Sequence, residues 1–280
     1  SLAKTHPEQA PEIALPLGVL KPSDVGRLIG RLADTRSKST VRQVYAVFAL
    51  AMDAAVADGL VEVNVVRSVK RPKPSPPRHA VLDEDKVRRA IDAVPERYRV
   101  MIEVAASLGL REGEVVGLLW KDVDLESGNV RIERALKEVT GHPLYYGDPK
   151  RGSKRTITAP KRVLELLKAH RAAVAELALM RGFSAGGDAP VFVNLEGGPI
   201  RPKTAYRVWS TAAKSVGLTD RRLHALRHRA VHRLQAAGAS PATTAAIVGH
   251  ADVATTMRIY TATTSSEQAA ALEAVDTTLT

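Results

Sequence analysis

Apolar positions recur at helical spacing along most of the 280 residues. Early in the chain, LKPSDVGRLIGRLA and SKSTVRQVYAVFALAMDAAVADG carry that period. In the second stretch Val44, Val47, Leu50, Met52 and Val56 form the expected apolar face. Ser23 and Ser39 are candidate caps, and Gly59 stops the run. LDEDKVRRAIDAV and RYRVMIEVAASLGL follow as further helices, and then GNVRIERAL, PLYYGD and KRTITAP read as short strands joined by turns. Helices dominate again from Lys161, with PVFVN the one strand expected among them. The fold class is therefore mainly α with a small antiparallel β-sheet, an α+β chain.

Pro72, Pro74, Pro76 and Pro77 break the pattern inside RSVKRPKPSPPRHA, which makes that stretch extended and semi-rigid. It reads as a linker between a small helical domain, residues 1–75, and a larger one, residues 76–280. Residues 1–19 look irregular. No internal repeat and no low-complexity segment is present.

Charge sharpens this picture. The formal net charge is +11, so an anionic polymer is a better partner than a small neutral substrate. Arg67 to His79 carries Arg67, Lys70, Arg71, Lys73 and Arg78 with no acid, and residues 201–233 carry nine Lys or Arg against Asp220 alone. Residues 261–280 reverse the sign with Glu267, Glu273 and Asp276 and no base, so a basic working surface and a separate tail are expected. The absence of cysteine excludes disulfides, thiolate zinc sites and Fe–S clusters. The uninterrupted apolar run Val44 to Met52 is too short for a bilayer, and the first twenty residues lack the order of a signal peptide. A soluble protein of the bacterial cytoplasm, associated with the nucleoid and not with a membrane, is the expectation.

Five places after the linker carry polar chemistry that packing does not need. LGLREGE offers Arg111 and, three residues on, Glu114. GDPKRGSKRTIT offers Lys150, Arg151, Lys154 and Arg155 around a hairpin tip. RLHALRHRAVHRLQAAG sets His224 and Arg227 on one helical face, and GHADVATTMRIY supplies His250 and Tyr260. Phosphodiester transfer asks for this kit. Two guanidiniums grip the non-bridging oxygens, a histidine accepts a proton near neutral pH, a lysine protonates a leaving oxygen, and a tyrosine forms a covalent phosphoester. No metal or cofactor is needed. His224, His228 and His232 recur every four residues, as a metal face would, but no cysteine or carboxylate on that stretch completes a ligand set. Taken alone, Tyr260 reads as a packed ring near a helix end.

The order and spacing of GLREGE, the lysine-bearing hairpin, HALRH and VGHADVATTMRIY resemble the tyrosine recombinases, or phage-type integrases, over roughly residues 20–270. The resemblance implies a helical core-site-binding domain and a catalytic domain that clamp DNA between them. It implies that Arg111 and Arg227 hold the scissile phosphate, that His224 and His250 supply hydrogen bonds and proton transfer, and that Glu114 supports the site. Lys150 would be the general acid, with Lys154 the alternative in the same hairpin, and Tyr260 the nucleophile that forms a 3′-phosphotyrosyl link. The linker residues Lys70, Arg71 and Lys73 and the hairpin residues Arg151, Lys154 and Arg155 would follow the DNA backbone. Arg42 and Gln43 would reach a major groove.

Tyr260 falls ten residues after His250 where many members have nine. The partners implied are double-stranded DNA attachment sites, three further copies of the chain in a homo-tetramer, and a directionality factor. The compact form implied has no arm-binding domain. TSSEQAAALEAVDTTL, with Ser265 three residues before Gln268 and Leu272, Val275 and Leu279 on one stripe, predicts a C-terminal exchange helix that docks on a neighbouring protomer. A Xer-like resolvase, a type IB topoisomerase and a DNA-binding regulator on the same fold remain the alternatives.

Overall fold

The computed structural model describes residues 15–73, 82–150, 153–250, 253, 256 and 257. The chain forms two compact units, residues 1–77 and 78–280.

In the first unit, α1 (Pro22–Thr35) packs on α2 (Lys38–Ala57). Pro22 presets the first turn of α1, and Asp24 accepts a hydrogen bond from Lys21 N at 2.9 Å. Ser37 caps α2 by accepting from Thr40 N at 3.2 Å. The expected caps Ser23 and Ser39 instead lie in the first turns. The buried stripe of α2 is Val41, Tyr45, Ala49, Met52 and Ala55, while Val47 and Leu50 are about two-thirds exposed, at 62% and 66%. This corrects the face expected from the sequence. Tyr45 and Asn64 fix the rotation: the Tyr45 hydroxyl donates to Val66 O at 3.1 Å and Val69 O at 3.0 Å, and Asn64 Nδ2 donates to Ala49 O at 2.9 Å, which draws residues 64–69 over that side. Helix α2 is long and apolar enough to cross a membrane by length and composition, but it spends this stripe on the first unit's core.

The second unit is built around α4 (Glu96–Leu108), whose Met101, Ile102, Val104, Ala105, Ala106 and Leu108 are all buried. A helix apolar on so many sides must be covered on those sides. Around it lie α3 (Glu84–Asp92), α5 (Glu112–Val116), α6 (Lys161–Arg181), α7 (Pro202–Ser215) and α8 (Leu223–Ala236), with α9 (Pro241–Val248) against α8. Trp209, Phe192 and Leu226 are essentially fully buried in this core, each worth roughly 2 kcal/mol or more of apolar transfer.

The β-structure is two antiparallel ribbons. Strand β1 (Asn129–Ile132) pairs with β4 (Arg155–Thr158), with Val130 opposite Ile157, and β2 (Ala135–Lys137) pairs with β3 (Tyr145–Gly147), with Leu136 opposite Tyr146. The single strand expected over GNVRIERAL is thus two, which change partner at Glu133–Arg134, where Arg134 is held by the buried carboxylate of Asp122. PVFVN is not a strand: Pro190 and Val193 make only isolated bridges, to Leu119 and Pro199. Pro190 and Pro199 have no N–H to give a ladder, and Asn194 Oδ1 turns the chain by accepting from Glu196 N and Gly198 N.

Candidate active site

Gly109, left-handed at φ 62°, ends α4, and buried Leu110 then anchors the chain so that Arg111 becomes the residue before α5. A Cβ at Gly109 would meet Val248 Cγ1 at 3.1 Å and Ala230 Cβ at 3.2 Å, so the glycine also lets α8 and α9 close on this turn. Glu114, at the third position of α5, turns back to accept from Arg111 N at 3.1 Å. Its carboxylate is 1% exposed and binds Arg111 Nη1 at 2.6 Å and Arg155 Nη2 at 3.0 Å. Burial alone would raise the Glu114 carboxyl, but Arg155 and then Arg111 hold it below its ordinary range. The pair is no solvated helix-surface contact.

Arg111 Nη2 also donates to Gly249 O at 2.7 Å, so the turn after α4 is tied to the end of α9. Gly249 takes φ 70°, and a Cβ there would lie 2.6 Å from Arg155 Nη1. His250 follows. Its Nδ1 meets Thr256 Oγ1 at 2.8 Å, and Thr256 is fully buried. Burial, followed by the charges of Arg227, Arg111, His224 and Arg155, lowers the His250 pKa to about 4, so the imidazole is neutral at pH 7.

Arg227, on α8, is 1% exposed. Nη1 donates to Gly109 O at 2.8 Å, while Nε and Nη2 are buried with no hydrogen-bond partner among the described residues. Burial first and Arg111 second lower its pKa to about 9, against the pull of Glu114, so the guanidinium remains charged at neutral pH. A buried cation with two unused donors is costly unless an anion meets it. One turn earlier on the same helix, exposed His224 meets the His228 ring edge-on at 4.7 Å between centroids.

Lys150 is exposed and lines a concavity of about 340 Å³ with Arg111, Glu114, Lys137 and Lys203. Lys154 pairs with Asp148 at 2.9 Å. Arg155 does not face outward with Lys154. Along β4, Ile157 and Ala159 point inward and Lys154, Thr156 and Thr158 outward, so the two-residue period puts Arg155 on the inner face. That alternation was present in KRTITAP and identifies the inward arginine; no comparable signal marks Thr256. Lys70, Arg71, Lys73 and Gln43 are exposed on the first unit, while Arg42 is half-buried and donates to Pro72 O at 3.4 Å. Tyr260, Arg151 and the tail lie outside the described residues. Among the described residues no group of three or more His, Asp or Glu is placed to hold a metal ion.

The structure thus brings Arg111, Glu114, Arg227 and His250 together, with His224 and Lys150 at the margin. A Tn1549 transposon integrase in complex with transposon right end DNA shares this fold at a TM-score of 0.74 and 22% identity, covering 94% of this chain and 87% of that one. A lambda integrase tetramer bound to a Holliday junction shares it at a TM-score of 0.65 and 18% identity, covering 86% and 64%. In sequence, the chain is 24% identical to a XerC-like tyrosine recombinase of Caldanaerobacter subterraneus subsp. tengcongensis over 93% of its own length and 72% of that protein. It is 28% identical to a putative prophage phiRv2 integrase of Mycobacterium tuberculosis over 76% of its length, but spans only 56% of that relative. The phage integrase family model matches residues 80–267, which contain every residue of this site, and the chain belongs to that family of tyrosine recombinases.

Proposed function

We propose that the chain is a phage-type integrase, a site-specific recombinase that cuts and rejoins DNA through a 3′-phosphotyrosyl intermediate. The observation that carries the reading is Arg227: a charged guanidinium, 1% exposed, with two donors unused among the described residues, beside Arg111 and a neutral imidazole. A phosphodiester supplies the anionic oxygens such a site lacks.

In this reading Arg111 and Arg227 hold the non-bridging oxygens, and Glu114 fixes Arg111. The Tyr260 hydroxyl attacks phosphorus, passing its proton to neutral His250, with His224 hydrogen-bonding the phosphate. As the Tyr260 O–P bond forms, the P–O5′ bond breaks, and Lys150 protonates the departing 5′ oxygen. The ion pair to Asp148 makes Lys154 the weaker candidate for that proton. A 5′ hydroxyl of the partner duplex then displaces Tyr260, so the phosphodiester energy is conserved and ATP has no role. Four protomers on two attachment sites would exchange one strand pair, pass through a Holliday junction and exchange the other. The acidic tail would link neighbours, and a directionality factor would choose between integration and excision.

The test is to incubate the protein with a supercoiled plasmid library carrying fragments of its source genome and sequence any new junctions. Reciprocal junctions at a short shared core support the proposal. Relaxed circles without junctions would assign a topoisomerase, and binding without strand joining would assign a regulator.

A further inference from the structure

Arg155 engages three acceptors with its three guanidinium nitrogens, two on distant segments and one on its own hairpin. Nη2 binds Glu114 Oε2 at 3.0 Å, Nε donates to Ile247 O at 2.7 Å, and Nη1 donates to Ser153 O at 2.8 Å. Ser153 is itself buried, and its hydroxyl donates to Lys150 O, so the same arginine reaches the backbone of the hairpin lysine through one residue. Arg111 Nη2 takes Gly249 O, so two arginines sharing one carboxylate hold carbonyls 247 and 249 on either side of fully buried Val248. His250 is the next residue. The Arg155 side chain is only 7% exposed, which leaves little of it for a ligand to touch. A lysine has one nitrogen and no planar fork, and cannot span these three acceptors.

We propose that Arg155 is a positioning residue of the recombinase site: it locks the Lys150 hairpin, Glu114 and the end of α9 into one geometry, and acts through Arg111, Lys150 and His250 without touching DNA. The inference rests on the recombinase reading above. The groups facing His250 that lower its pKa come from α8 (Arg227 and His224), from the residue before α5 (Arg111) and from β4 (Arg155), while Thr256 hydrogen-bonds the ring at Nδ1.

Arg155→Lys and Arg155→Gln in the full chain test it, with thermal melts to establish that each variant folds. Covalent capture of a nicked duplex should slow on the order of 10²-fold in both, because a displacement of about an ångström at a reacting group costs that much. A near-normal rate in Arg155→Lys would overturn the proposal, since charge alone would then suffice. Binding to a short duplex of arbitrary sequence should keep its salt dependence. A fall of about one in the logarithmic salt slope would make Arg155 a phosphate contact and overturn it equally. By NMR, the His250 titration should rise from about 4 towards its ordinary value in Arg155→Gln, and an unmoved titration would show that Arg155 does not organise His250. If the wild type captures no DNA at all, the recombinase reading falls, while the titration and the salt slope still decide what Arg155 does. Should Arg155→Gln not fold, the rate and salt slope of Arg155→Lys decide alone.

Discussion

Replacing Glu114 with glutamine removes one charge and little volume from a carboxylate that is 1% exposed. It leaves Arg111 Nη1 and Arg155 Nη2 facing each other, 2.6 Å and 3.0 Å from a group that can no longer neutralise them, and it turns an amide NH₂ towards N–H donors. Breaking a buried pair from one side costs about 3–5 kcal/mol. In a unit of this size each kcal/mol moves Tm by about 2–4 °C, so Glu114→Gln should melt at least about 6 °C below wild type at pH 7. The pH dependence has a definite sign. The native Glu114 carboxyl lies below the ordinary 4.5, so its contribution is complete above that pH and is lost as pH falls through the native value; the gap to Glu114→Gln should narrow there. Glu112 is the internal control. Burial and then Glu138 raise its carboxyl, so Glu112→Gln should leave Tm unchanged or higher. Calorimetric melts of the three proteins measure both effects. A loss below about 1 kcal/mol in Glu114→Gln would refute the argument that this carboxylate holds the two arginines together.

Because the His250 pKa is lowered to about 4, covalent capture at subsaturating DNA should show no acid limb at pH 6.5; a limb there would contradict a proton acceptor held neutral well below that pH. Arg111→Lys and Arg227→Lys should each lose on the order of 10²-fold or more in cleavage, because a point charge cannot replace the planar fork, and near-normal rates in single-turnover assays would remove the phosphate clamp. A 5′-bridging phosphorothiolate, whose sulfur leaves unprotonated, should restore cleavage to Lys150→Ala; rescue of Lys154→Ala in its place would move the general acid to that residue.

The arrangement of the site was legible wherever a role depends on local spacing. The Gly-Leu-Arg turn, the i and i+3 pair His224 and Arg227, and the glycine before His250 each fix a side chain within a few residues. Contacts formed by distant segments were not legible. The Arg155–Ile247 bond spans 92 residues and the Arg111–Gly249 bond spans 138, and no periodicity records them. The charge of Arg155 points it outward with Lys154, while its place in the strand alternation points it inward, and the distant acceptors favour the inward face. The same cause turned α2: apolar side chains occur nearly all round that helix, and contacts from distant residues, among them the hydrogen bonds of Tyr45 to Val66 and Val69 and of Asn64 to Ala49, select the buried stripe. PVFVN has the composition of a strand, but its own Pro190 and the bridge partner Pro199 deny it a ladder.

In the proposed reaction Tyr260 becomes joined to DNA in a site built by Arg111, Arg227 and His250. A suicide duplex nicked just beyond the cleaved bond loses the short fragment that carries the new 5′ hydroxyl and so traps the covalent state, and mass spectrometry of the digested adduct identifies the residue that carries the nucleotide. The wild type should accumulate one adduct, on the peptide containing Tyr260. Tyr260→Phe should form none while binding the same duplex within a few-fold. An adduct on another residue, or undiminished capture by Tyr260→Phe, would contradict Tyr260 as the nucleophile.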